Sequence, residues 1–322
     1  MSEPSVLPAT PAPTVEATPA PSTRSRHRIR RALLRLTFLS VATVLGLLVL
    51  LWLGQRVLIY PGASMEHPPS RSLDAGWETW SLPLITSGSD DDLAATPGVP
   101  ALFRPGQGVT AQAPGPAVVF LHGNAEIIQQ WAPELQWYCQ QGLSVLIPEY
   151  RGFGSAAGEP SQSAITGDLQ RYVDRLAAQD DVDPDRLIYH GRSMGGGFAA
   201  QLLRHRTPAA LILASSFTSY ADAAADMVHV PTFLIRDPLP VTAILRDYTG
   251  PTLILHGTAD RVVQVEHARR NAAAAQNPTL ILYPDTGHNT MPRGHGDWAD
   301  IADFLAAHDL LPTAQALPPS TP

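Results

Sequence analysis

The sequence predicts an α/β domain, a doubly wound and mostly parallel sheet with a small cap, preceded by one transmembrane helix. Three observations carry that expectation. Short apolar runs recur along the chain, each followed by a turn and a helical pattern. A serine between two glycines stands where one such run meets its helix, and an uncharged stretch of 19 residues, 36–54, lies near the N-terminus.

The N-terminal part comes first. Residues 1–23 are almost wholly Pro, Ala, Thr, Ser and Val, with too few large apolar groups to offset the entropy of ordering. Arg24, Arg26, Arg28, Arg30, Arg31 and Arg35 follow, so 1–35 is expected to be a disordered basic segment. Residues 36–54 match the roughly 20 helical residues that cross a hydrocarbon core. A cleaved signal would carry a shorter apolar region and a small-x-small site, and Trp52-Leu53-Gly54-Gln55-Arg56 offers none. The arginine excess precedes the span, which places the N-terminus in the cytoplasm and the remainder outside it, tethered to the membrane by one pass.

Charge divides the chain at the same place. Through Arg56 there are seven Arg against two Glu, a net of +5, and beyond it fifteen Arg against 27 acids, a net of −12. An acidic domain is a poor partner for nucleic acid. Lysine is absent, which excludes a phosphate-binding P-loop lysine and lysine Schiff-base chemistry. Cys139 is the only cysteine, so no intramolecular disulfide forms.

Residues 57–310 suffice for one large domain. Apolar runs at 116–121, 144–147, 186–189, 210–214, 252–255 and 279–283 suit strands covered on both faces. Helical patterns fall between them at 127–141, 161–179, 194–206, 264–276 and 297–308. Segments 78–85 and 101–104 suit an antiparallel edge hairpin around an acidic loop, 87–100. Residues 215–250 are long enough for a small apolar cap, and 311–322 is a Pro-rich flexible tail.

The chemistry centres on Gly191-Arg192-Ser193-Met194-Gly195. A serine on a sharp strand-to-helix turn needs small neighbours, so Ser193 is the candidate nucleophile; a plain helix N-cap is the alternative. Its hydroxyl needs a base, and the base an acid to fix its tautomer. Asp260 is the first acid after the run 252–255, and His288 directly follows the run 279–283, whereas His267 and His308 fall on helical patterns and His295 in a glycine loop. Backbone N–H groups of Met194 and of Asn124 or Ala125 are candidate oxyanion donors. His122 precedes Ser193 and is expected to shape its loop rather than act as base. Tyr150, Phe217 and Tyr220 are candidate substrate-binding residues. Gly152-Phe-Gly-Ser-Ala-Ala157 is a loose dinucleotide-type pattern, but Pro160 stands where its helix should run. The histidines lack metal-ligand spacing, so neither metal nor cofactor is expected.

His122-Gly-Asn-Ala125, Glu149-Tyr-Arg-Gly-Phe-Gly154, Gly191-Arg-Ser-Met-Gly-Gly196, His256-Gly-Thr-Ala-Asp260 and Gly287-His288, in this order, resemble the α/β-hydrolase superfamily. Gln55-Arg-Val-Leu-Ile-Tyr-Pro61 after the span is similar to the Bem46-like, membrane-anchored branch. The resemblance implies an α/β-hydrolase fold and a Ser-His-Asp serine hydrolase acting on a small-molecule or lipid-like acyl substrate. Relatives in that branch include protein depalmitoylases, so the resemblance implies a thioester as well as an ester substrate. Serine peptidase activity on the same residues, and a catalytically silent membrane-tethered scaffold, are the alternatives.

Overall fold

The computed structural model describes residues 23–64, 76–84, 98–228, 231–290 and 296–311. The chain divides into two compact units, one ending at Leu51 and the other beginning at Trp52.

Helix α1 runs Thr23–Ile59. Within it, Arg30–Ile59 contains an 18-residue window with a mean hydropathy of 2.5 and is long and apolar enough to cross a membrane. Leu36, Phe38, Leu39 and Leu47 are exposed, as a lipid-facing helix requires. The expectation that 1–35 is disordered is corrected from Thr23 onward, where the arginine run is helical. Arg, Ala and Leu are good helix formers, and 23–35 holds neither Gly nor Pro, so the helix propagates back from the apolar stretch. Residues 1–22 lie outside the described residues.

The larger unit is built on eight strands: β1 Glu78–Leu82, β2 Val99–Arg104, β3 Gly115–Leu121, β4 Ser144–Pro148, β5 Val182–Arg192, β6 Ala210–Ala214, β7 Pro251–Gly257 and β8 Asn277–Tyr283. Their order is β1-β2-β4-β3-β5-β6-β7-β8. β1 and β2 pair antiparallel, as do β2 and β4, and every later pairing is parallel. Alternation along β3 explains the two cores: Ala117, Val119 and Leu121 face one, Val118 and Phe120 the other. Helices α3 (Gln162–Ala177) and α4 (Met194–Leu202) cover the first face, and α2 (Ile128–Gln140) and α8 (Gly296–Ala307) the second. The winding reverses between β3 and β5, which opens a crevice at their carboxyl ends.

The cap region holds α5 (Tyr220–Val228), a short 3-10 turn at Thr232–Leu234 and α6 (Thr242–Leu245), and α7 (Val265–Ala274) follows β7. Val99 and Pro100, expected in the acidic loop, open β2 instead, because both pair with β1. The rest of that loop through residue 97, apart from Val99's neighbour Gly98, and the tail from 312 lie outside the described residues.

Candidate active site

Ser193 sits between β5 and α4 with φ 51° and ψ −117°, a strained conformation for a residue with a side chain. The surroundings enforce it. Ser193 N–H donates to the Ala214 carbonyl at 2.8 Å, and Ser216 Oγ–H donates to the Ser193 carbonyl at 3.0 Å. A Cβ at Gly191 would lie 2.5 Å from the Gly195 carbonyl oxygen, and one at Gly195 would overlap the Leu121 carbonyl. The glycines therefore let the start of α4 press against the end of β3, while Ser193 stays half-buried at the crevice.

His288 and Asp260 come from the loops after β8 and β7. Thr258 N–H donates to the Tyr283 carbonyl and Ala259 N–H to the Thr286 carbonyl, both at 2.9 Å, lacing the two loops together. His288 Nδ1 is 2.8 Å from Asp260 Oδ2, and His288 Nε2 is 3.0 Å from Ser193 Oγ. With the proton on Nδ1, Nε2 is left to accept from the serine hydroxyl. The other carboxylate oxygen, Oδ1, accepts from the N–H groups of Val262 and Val263, each at 2.8 Å. Burial acts to raise the Asp260 pKa, but hydrogen bonds from His256, His288 and the Val263 N–H overcome it and hold the group well below the ordinary carboxylate range.

The loop after β3 carries His122 to Glu126. Asn124 is half-buried and Ala125 exposed, and the Asn124 side chain donates through Nδ2 to the Ile59 carbonyl at 2.7 Å. The Asn124 side chain is thus directed at the end of α1, and the backbone N–H groups of Asn124, Ala125 and Met194 are the candidate oxyanion donors. His122 is fully buried, with Nδ1 2.9 Å from the Gly123 carbonyl and Nε2 2.8 Å from Glu149 Oε1. Burial disfavours its charge, but the Glu149 carboxylate wins and raises its pKa. Both ring nitrogens are engaged in shaping the loop. His190, next to the serine turn, is held down to about 3 by burial and by Arg192, so it stays neutral.

Four supporting residues went unread in the sequence. Buried Arg192 pairs with Glu126 and donates through NH2 to the His288 carbonyl at 3.1 Å and to Asn289 Oδ1 at 3.0 Å. Glu126 also accepts from Gly123 N–H at 2.6 Å and from Trp131 Nε1 at 2.9 Å. One arginine therefore ties the β3 loop to the histidine loop. Glu149 and His256 complete the set, the latter with Nε2 3.3 Å from Asp260 Oδ2. The available signal was a buried arginine inside the Gly-x-Ser motif, which must find a carboxylate somewhere.

Two expected substrate-binding residues are corrected. Tyr150 is fully buried, stacked on His122 with its hydroxyl donating to the His122 carbonyl at 2.9 Å. Phe217 is buried against Tyr220 and Gly197. Tyr220 is half-buried, and its hydroxyl donates to the Ile59 carbonyl at 3.1 Å. Cys139 is buried and free, its thiol pushed up to about 12 by burial. Among the described residues, no group of three or more His, Cys, Asp or Glu side chains is gathered as a metal site.

A family model described as serine aminopeptidase, S33, matches residues 112–237. The chain is 33% identical over 262 residues to an uncharacterized protein of Mycobacterium tuberculosis, covering 76% of this chain and 84% of that one. It is 31% identical over 196 residues to the uncharacterized protein YfhR of Escherichia coli K12, covering 58% and 69%. Among solved structures, esterase 2 of Thermogutta terrifontis phosphorylated by paraoxon superimposes with a TM-score of 0.58 at 18% identity, covering 77% of this chain and 100% of that one. The sheet order, the serine turn between β5 and α4 and these similarities agree: the chain belongs to the α/β-hydrolase superfamily.

Proposed function

We propose that this hydrolase is a membrane-anchored serine enzyme that cleaves a carboxylic ester or thioester through an acyl-enzyme on Ser193. The observation that carries the reading is the line of contacts from Ser193 Oγ to His288 at 3.0 Å and from His288 to Asp260 at 2.8 Å. As Oγ attacks the acyl carbon, its proton passes to His288 Nε2, and the carbonyl oxygen becomes an oxyanion held by the N–H groups of Met194 and of Asn124 or Ala125. Collapse expels the alkoxide or thiolate, which takes the proton back from His288. Water, deprotonated by His288, then attacks the acyl-enzyme and frees the acid and Ser193. Asp260 holds the Nδ1 proton and stabilises the imidazolium throughout.

The aminopeptidase description of the matching family model favours a second reading, hydrolysis of an aminoacyl amide. An aminopeptidase needs a free carboxylate near the serine for the substrate ammonium. Glu126 and Glu149, the acids flanking the oxyanion loop, are instead paired with Arg192 and His122. Structural neighbours named as esterases lend support to the ester reading. A fluorophosphonate probe tests the nucleophile: wild type should label and Ser193→Ala should not, while a folded wild type that fails to label would leave a silent scaffold. Hydrolysis of p-nitrophenyl esters and acyl thioesters over aminoacyl amides separates the two enzyme readings.

The anchor belongs to the same proposal. Residues 36–54, within the apolar helix Arg30–Ile59, cross the bilayer once, with the N-terminus cytoplasmic and the hydrolase outside, in keeping with the resemblance of Gln55–Pro61 to the Bem46-like branch. Resistance to carbonate extraction, and digestion of the hydrolase unit by protease added from outside, are the expected results.

A further inference from the structure

The last turns of α1, from Trp52 onward, belong to the same compact unit as the sheet. They clasp one segment of the cap. Buried Gln55 donates through Nε2 to the Leu234 carbonyl at 3.1 Å, and its Oε1 accepts from Arg236 N–H at 2.8 Å. Arg56 Nε donates to Asp237 Oδ2 at 3.2 Å, and the Arg236 guanidinium lies 4.6 Å from the Trp52 ring centroid. Residues 231–237 are thereby fixed at the level of Trp52–Arg56. Gln55 directly follows the uncharged stretch, only about 1.5 Å of helix rise beyond Gly54.

This clasp turns apolar side chains outward. Phe233 is 83% exposed, Val57 65%, Leu58 64% and Trp52 43%. An open groove of about 510 Å³ lies beside them, lined by Trp52, Arg56, Gln162, Phe233 and Arg236. Burying a phenylalanine is favourable, so a segment tied down by four polar contacts while its largest apolar group points away is poorly suited to water. It is well suited to a lipid interface, where Trp and Arg sit at headgroup level and a Phe reaches the acyl chains.

We propose that the segment 231–237, with Trp52, Val57 and Leu58, is a membrane-docking surface whose occupant is the interfacial layer of the lipid bilayer, Phe233 being inserted among the acyl chains. The inference rests on the anchor reading. Its consequence reaches the site: the Ile59 carbonyl, at the end of the same helix, accepts from Asn124 of the β3 loop and from Tyr220 of α5. The bilayer surface, the cap and the candidate oxyanion loop are held at one helix end.

The test uses the full chain in phosphatidylcholine–phosphatidylglycerol vesicles, carrying Phe233→Cys labelled with an environment-sensitive nitrobenzoxadiazole. Buried Cys139 should stay unlabelled in the wild-type blank. Ala306→Cys, exposed on α8 and facing away from the opposite core, is the aqueous control. A lipid spin-labelled near the top of its acyl chain should remove about half of the fluorescence at position 233 and little at 306, with aqueous iodide doing the reverse. Leu58→Cys reads the same surface independently of the loop's fold. Iodide quenching at 233 equal to that at 306, in protein that floats with the vesicles, overturns the docking surface alone. Protection at 233 from both quenchers means a second copy or another protein covers it, which also overturns the proposal. Failure to float with vesicles overturns the anchor and the docking surface together.

Discussion

The turn that carries Ser193 and the segment 231–237 belong to one domain and are built in opposite ways. At the turn, every residue from Gly191 to Gly197 except Ser193 is buried, and a strained φ is held by hydrogen bonds to β6 and the residues beyond it. In the cap segment, residues 231–234 are exposed, and side chains from α1 supply the anchoring. The difference teaches where each kind of information sits. A turn that must bring a backbone within contact of β3 leaves a local glycine signature, whereas a segment fixed by Gln55 and Arg56 leaves no mark in its own sequence.

The largest expected effect tests whether the rigid region is the one that works. Ser193→Ala or His288→Ala should lower turnover by about 10⁶-fold and Asp260→Asn by roughly 10⁴-fold, with the fold retained. The Ser193/His288 double variant should be little worse than either single, because the groups act as one unit. Ester hydrolysis measured on variants shown to be folded by far-UV circular dichroism checks this, and near-normal activity of His288→Ala would move the chemistry elsewhere.

Next comes rigidity itself. Gly195→Ala drives a Cβ into the Leu121 carbonyl, a backbone atom that cannot swing aside, and should cost about 3 kcal/mol or more or abolish folding. Gly167, inside α3, has nothing within 4 Å of an added Cβ. Gly167→Ala should stabilise by about 0.5–1 kcal/mol through helix propensity. Equal effects in thermal melting would show that the close approach of α4 to β3 is not what demands glycine at the turn.

Much of this fold is legible because parallel strands covered on both faces read as short apolar runs, and β3, β4 and β6 are buried at every position. Chain order and strand ends were enough to single out Ser193, Asp260 and His288, which the fold brings within hydrogen-bond distance. The Arg192–Glu126 tie was not legible, since Arg192 ends β5 while Glu126 lies in the loop after β3, and only the reversal of winding brings them together. Tyr150 and Phe217 were misplaced for a related reason: residue type names the chemistry, and only packing says which way a ring faces.

A smaller, pH-dependent effect sharpens the electrostatic side of the comparison. The Asp260 carboxyl titrates below its ordinary value of 3.8 in the folded protein, so the unfolded chain binds its proton more readily. The stabilisation is therefore complete above that value and lost as pH falls below it toward the folded value. The gap in melting temperature between wild type and Asp260→Asn should be widest near pH 7 and narrow progressively as pH falls below the ordinary carboxylate value of 3.8. A gap that stays constant across this window would mean that geometry, and not charge, sets the cost.

The smallest effect belongs to the cap segment. Phe233 is 83% exposed, so in the detergent-solubilised chain its ring contributes little of the transfer energy a buried ring supplies, and Phe233→Ser should change stability by less than about 0.5 kcal/mol. Phe217 is the control on the same cap: it is 2% exposed and sits against Gly197 and Tyr220, so Phe217→Ser should cost about 3–5 kcal/mol. Thermal melting of the two variants side by side decides the matter. A large loss for Phe233→Ser would mean that the ring is packed against protein in solution, and the contrast between the buried serine turn and an outward-facing segment would fail at its most exposed residue.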